Sequence, residues 1–224
     1  MFTSLSPWWK EYGVLNDYFA RLSLVLSQGR QENGWLILEP TTSLWLHYTN
    51  VSGGKPLWDI ANDFQALLGA LERGQMEYDL GCEDLMADCG SVGRKCLRVG
   101  QTRYHTVVLP AKTENLESRT FQLMRDFASS GGRIIALGLP DYVDGEESAE
   151  LQAFMQSDAV IKRQTPQEIL SLYRQEADLL VQCPENSHVY HYRCRYEDGQ
   201  LLFLTNSSLT DETPVTVSMP GKYL

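Results

Sequence analysis

Tyr104 to Gly138 reads YHTVVLPAKTENLESRTFQLMRDFASSGGRIIALG, and this stretch decides the fold. Tyr104 to Leu109 is a short, β-branched, nearly continuous apolar run, the pattern of a strand buried on both faces of a parallel sheet. Pro110 ends it. From Leu116 onward, Leu116, Phe121, Leu123, Met124, Phe127 and Ala128 recur at helical spacing, and Gly131-Gly132 supplies a residue able to turn left-handed after the helix. Arg133 to Leu137 reads as the next strand. A strand, a covering helix and a strand in so short a span form a right-handed crossover, which predicts a parallel sheet in a three-layer α/β fold.

On the N-terminal side, Trp8 to Gln28 is a candidate amphipathic helix, with Leu15, Tyr18, Phe19, Leu22, Val25 and Leu26 on one face and Gly29 as its stop. Trp35 to Leu38 is the first strand, closed by Pro40. The segment Thr41 to Gly54 then reads as a loop carrying Trp45, His47 and Tyr48. In an open parallel sheet the loops after the strands' carboxyl ends form the ligand crevice, so these three residues are the candidate crevice positions. Leu57 to Arg73 reads as a helix, Met76 to Leu80 as the second strand, Glu83 to Asp88 as a brief helix and Lys95 to Val99 as a small strand.

Beyond Gly138, the acidic, turn-rich segment LPDYVDGEE leads toward a helix. Glu146 and Glu147 are adjacent, so they do not converge as an acid/base pair. They suit the dipole near a helix start instead. Ala159 to Ile161 reads as a strand, and Thr165-Pro166-Gln167-Glu168 as a capping box opening a helix to about Glu176. Asp178 to Val181 closes the α/β part. Val189 to Tyr196 and Leu201 to Thr205 are strand-like runs around Asp198-Gly199, a hairpin signal, and Val215 to Ser218 resembles a third strand. His188 and Cys194 share one face of this run and His191 lies on the other, so they form no catalytic or metal constellation by themselves. The predicted division is an α/β domain over 1–183 that includes the N-terminal helix, followed by 184–224 as a β-extension or the start of a β-domain.

Composition narrows the function classes. The 224 residues are 43% hydrophobic and 10% aromatic, a globular composition, and 29 acidic against 19 basic residues give a formal charge of -10. That charge repels phosphate backbones and anionic lipid, so neither nucleic acid nor membrane is an expected partner. No apolar run approaches the ~18 residues of a membrane span. Met1 to Glu11 has aromatics where a secretion signal has a basic head and an aliphatic stretch. With an odd number of cysteines (Cys82, Cys89, Cys96, Cys183 and Cys194), this favours free thiols and a cytoplasmic location. Cys82, Cys89 and Cys96 recur every seven residues without a close CxxC pair, so no metal is expected. No Gly-rich phosphate loop is present, so no cofactor is expected either. The aromatic opening Ser6-Pro7-Trp8-Trp9 makes Trp8 and Trp9 candidate interface residues.

A family resemblance rests on the order of several short motifs. They are Asp17-Tyr18, Ala20 to Ser23, Leu26 to Gly29, Leu38-Glu39-Pro40 with Ser43 and Trp45, Glu77 to Asp79, Leu97 to Gly100, and Tyr104 with Val107 to Pro110. Gly131-Gly132, Tyr192 to Arg195, Gly199 and Phe203 to Asn206 complete the series. In these the chain resembles the class I glutamine amidotransferase-like domain of large glycoside hydrolases, above all the region after the catalytic barrel in α-L-rhamnosidase-type enzymes. It is similar, more loosely, to the trimerisation domain of barrel-type β-galactosidases. The resemblance implies a flavodoxin-like sheet of order 2-1-3-4-5 and a non-catalytic accessory role, with the barrel of the same parent or another subunit as partner, and carbohydrate as a further one. Catalysis is not carried over. Amidotransferase chemistry needs an activated thiol on a strand-to-helix elbow, and the elbow after Arg133 to Leu137 reads Gly138-Leu139-Pro140. No catalytic residue is therefore assigned. A cysteine-dependent amidotransferase-like hydrolase and a flavodoxin-like small-molecule binder are the alternatives.

Overall fold

The structure is a computed structural model, and it describes residues 4–50, 54–185 and 187–221. Two compact units make up the chain: one from the start to Glu32 together with His191–Thr205, the other Asn33–Tyr190 together with Asn206 onward.

The larger unit is built on five parallel strands, β1 (Trp35–Leu38), β2 (Asp79–Gly81), β3 (Thr106–Leu109), β4 (Arg133–Ala136) and β5 (Val160–Lys162). They lie in the order β2-β1-β3-β4-β5. That order counts only this sheet's own strands. Counted through every described strand they are the first, second, sixth, eighth and eleventh of the chain, because short antiparallel strands intervene; of these the sequence predicts the one at Lys95 to Val99, found as Cys96–Val99.

Each strand alternates its side chains between two apolar layers. Leu36, Leu38, Val107, Leu109, Ile134 and Ala136 face helices α4 (Glu83–Cys89), α5 (Ser118–Ser129) and α6 (Ala149–Gln156), which contribute Met86, Phe121, Leu123, Met124, Phe127, Leu151 and Met155. Trp35, Ile37, Val108 and Ile135 face α3 (Lys55–Arg73) and α7 (Pro166–Glu176), through Leu67, Leu71, Ile169, Leu170 and Tyr173. Three layers result. The fully buried patterns of β1 and β3 follow from helices on both sides.

Several boundaries differ from the sequence expectation, each for a physical reason. The run Tyr104 to Leu109 is two strands: Thr102–Tyr104 pairs antiparallel with Cys96–Val99, which also pairs with Gly90–Gly93, and only Thr106–Leu109 enters the parallel sheet. His105 is the break, its N–H donating to the Gly34 carbonyl at 2.9 Å. Strand β2 begins at Asp79 rather than Met76, because Gln75 takes a left-handed turn (φ 57°) after α3. Glu146 and Glu147 lie in a short antiparallel ladder with Tyr142 and Val143, and Ser148 caps α6 by accepting the Leu151 N–H at 3.2 Å. Leu180–Gln182 is outside the parallel sheet and pairs antiparallel with Thr216–Ser218. Gly131 does take the left-handed conformation after α5 (φ 87°), and Thr165 and Glu168 form the capping box of α7.

The smaller unit holds a 3-10 turn at Trp9–Glu11, helix α1 (Tyr12–Leu26) and most of the hairpin Val189–Arg195 with Gln200–Asn206. Gly29 (φ 79°) admits no side chain, since a Cβ there would lie 2.6 Å from the Arg195 carbonyl oxygen. Arg30 and Arg195 exchange two backbone hydrogen bonds of 2.8 Å. The Tyr196 hydroxyl donates to the Val25 carbonyl at 2.9 Å, which fixes the end of α1 on the hairpin.

Candidate functional site

The carboxyl ends of β1, β3 and β4 feed three segments that meet: helix α2 (Thr41–Leu46), the loop 110–117 and the turn 137–148. The sequence predicts a loop where α2 stands, because Pro40, Thr41 and Thr42 are weak helix formers. Long-range bonds stabilise it. The Ser43 hydroxyl accepts the N–H groups of Glu114 (2.9 Å) and Asn115 (3.1 Å), and Thr42 donates to Glu83 Oε1 at 2.7 Å.

Glu83 is the hub. Its carboxylate is 4% exposed, and besides Thr42 it accepts the Glu117 N–H at 2.8 Å, so one side chain ties α4, α2 and the start of α5 together. Burial pushes its pKa up, opposed by these same hydrogen bonds. Asn115 Oδ1 accepts the Gly145 N–H at 2.8 Å, and Asp144 Oδ1 accepts the Ser118 N–H at 2.9 Å at the head of α5. The polar side chains of this edge are therefore used to fasten its loops to one another.

Of the residues singled out in sequence, Trp45, His47 and Tyr48 lie at this edge. Trp45 and Tyr48 are 62% and 68% exposed, and His47 Nε2 shares a 2.6 Å hydrogen bond with Glu114 Oε2. Tyr142, partly exposed, joins this edge through its N–H, which is bonded to the Glu114 carbonyl at 3.0 Å. Trp8 and Trp9 are in the other compact unit, both exposed, with Trp9 stacked on Tyr12 at 5.7 Å between centroids.

Glu83, Ser43, Asn115 and Asp144 are the positions that sequence reasoning missed. Their one local signal is that each follows the apolar end of a strand, and which of them pair is decided by contacts 26 to 72 residues apart.

The elbow after β4 holds no nucleophile. Gly138 is required there by close approach, since a Cβ would lie 1.8 Å from the Ala111 carbonyl oxygen. Cys82 caps α4 in an extended conformation and makes no hydrogen bond to a histidine among the described residues. All five cysteines are free thiols. Among the described residues no group of three or more His, Cys, Asp or Glu side chains is arranged to hold a metal ion, and no helix is long and apolar enough to cross a membrane.

No protein-family model matches the chain, and no curated protein matches it. Among solved structures, the rhamnosidase from Novosphingobium sp. PP1Y is similar in fold, with a TM-score of 0.53 and 19% sequence identity. The likeness covers 85% of this chain but 18% of the rhamnosidase chain, so the chain has the fold of one segment of a much longer enzyme.

Proposed function

We propose that the chain is a non-catalytic accessory domain of a multidomain glycoside hydrolase of the rhamnosidase type, built on a flavodoxin-like, glutamine amidotransferase-like sheet. The observation that carries this reading is the state of the carboxyl edge. An amidotransferase would place a thiol at the elbow and a histidine beside it, whereas Gly138 here fills the elbow in near contact with Ala111, and Glu83, Thr42, Ser43 and Asn115 are bonded into loop scaffolding. The fold likeness to one segment of a rhamnosidase supports the same reading.

The partner in this reading is a catalytic barrel, in the same parent chain or another subunit, with Trp45, Tyr48, Trp8 and Trp9 supplying apolar contact area. Glycoside cleavage requires two carboxyl groups flanking a sugar-sized gap. At this edge Glu83 is buried beneath the loops, Glu114 is bonded to His47 and Asp144 accepts the Ser118 N–H, so these three carboxylates serve the scaffold.

Fractionation of the native source tests the proposal, with an antibody raised against this chain. The expected result is that the epitope elutes with α-L-rhamnosidase or another glycosidase activity, in a species larger than the chain alone. An epitope running at the mass of the chain alone, separated from every glycosidase activity, overturns it.

A further inference from the structure

A groove on the α3/α7 face of the larger unit has the makings of a ligand site that the accessory role does not explain. Helix α3 ends against α7 so closely that a Cβ on Gly74 would lie 2.4 Å from Leu170 Cδ2. The left-handed Gln75 then sends its side-chain amide to the Val189 carbonyl at 2.9 Å, which holds Val189 near the end of α3. Between α3, α7 and the chain around Cys183 lies a cavity of about 400 Å³ lined by Arg73, Arg174, Gln167, Ser171, Cys183 and Glu185, among others. A second cavity of about 290 Å³ shares Arg73, Arg174 and Cys183 with it.

Charge sets the ligand class. In a chain of formal charge -10, this cavity is lined by two arginines, Arg73 and Arg174, and one acidic residue, Glu185. Neither the Arg73 nor the Arg174 side chain makes a hydrogen bond or ion pair among the described residues, and the Gln167 side-chain amide is likewise unengaged. The Ser171 hydroxyl donates to the Gln167 carbonyl at 2.8 Å, so its proton is used within α7. Guanidinium forks match the paired oxygens of a carboxylate or phosphate, and a volume of this size accommodates a small molecule of several heavy atoms beyond the anion.

We infer that this groove binds a small, sugar-sized molecule bearing an oxyanion, with Arg73 and Arg174 gripping the anion and Gln167 donating to a neutral oxygen. The bound molecule covers the Cys183 thiol. The inference does not depend on the accessory-domain reading.

Calorimetric titration of the chain with glucuronate, glucose 6-phosphate and glucose tests it, alongside alkylation of Cys183 followed by peptide mass spectrometry. The account expects saturable binding of at least one anionic sugar at or below ~10 mM and none of glucose. Binding of glucuronate alone identifies a carboxylate ligand, and of glucose 6-phosphate alone a phosphate ligand. The variants Arg73→Gln and Arg174→Gln, both at exposed positions, are expected to weaken binding about 10- to 100-fold each. In the unmodified chain the bound sugar slows alkylation of Cys183 while leaving Cys89 unaffected. Equal binding of glucose, failure of both anionic sugars, undiminished binding by the double variant, or unchanged Cys183 alkylation at saturation each overturns the inference.

Discussion

Helices α1 and α5 carry similar apolar stripes in sequence and end in opposite circumstances. α5 buries Thr120, Phe121, Leu123, Met124 and Phe127 against the parallel sheet. α1 buries none of its residues, and Val14, Tyr18, Phe19 and Leu24 are each more than half exposed. Amphipathic spacing states that a face is suited to being covered, and does not state what covers it. The face of α5 is answered within this chain. The exposed apolar residues of α1 are contact area of the kind the proposed accessory role calls for.

The largest effect that could break this contrast is in α5. Phe127 is fully buried, and a Cβ on Gly132 would lie 2.0 Å from its ring, so the ring is held on all sides. Phe127→Ala is expected to cost about 3–5 kcal/mol in urea unfolding, and a loss under ~1 kcal/mol would mean that the α5 layer is not packed as described. A smaller test uses the start of α7, where Thr165 accepts the Glu168 N–H. Thr165→Ala should lower stability by about 1 kcal/mol.

Next comes the pH response of the carboxyl edge. Burial raises the Glu83 pKa above its ordinary value of 4.5, so its folded-state contribution is fully present below pH 4.5 and is lost as pH rises through the elevated folded value. Relative to Glu83→Gln, the unmodified chain should therefore be favoured more at pH 4 than at pH 7 in thermal melts. A difference independent of pH would remove the buried-carboxylate account of this edge. The smaller effect of the two phenylalanine changes belongs to α1: Phe19→Ser should cost well under the Phe127→Ala loss, about 1 kcal/mol, because Phe19 is 51% exposed. The unmodified chain is expected to self-associate in sedimentation velocity and Phe19→Ser to reduce this, whereas a large loss of stability would show that α1 is packed within the chain.

How much was legible in sequence follows the same division between local and distant causes. Strand β1 at Trp35–Leu38, the span of α3 to Arg73, the left-handed Gly131 and the capping box at Thr165 depend on neighbours within a few residues, and all could be read directly. Helix α2 could not, since Pro40-Thr41-Thr42 carries no helix signal and Ser43 is held by a loop some 70 residues away. The break at His105 was hidden because β-branched residues continue on both sides of it while the pairing partner changes. That Trp45, His47 and Tyr48 stand at the carboxyl edge of the sheet could be read from their place after β1. The role of Glu83 could not, because an acidic residue at a helix start reads as a dipole partner until Thr42 and the Glu117 N–H are seen to converge on it.

In the proposed accessory role no residue of this chain cleaves a glycoside. The most direct measurement is hydrolysis of aryl-α-L-rhamnoside and aryl-β-galactoside by the purified chain at high protein concentration, with release of the aryl alcohol followed over hours. The account predicts release at the rate of buffer alone. Turnover that survives repurification and is abolished by a single carboxylate-to-amide change in this chain, at Glu114 or elsewhere, would contradict it.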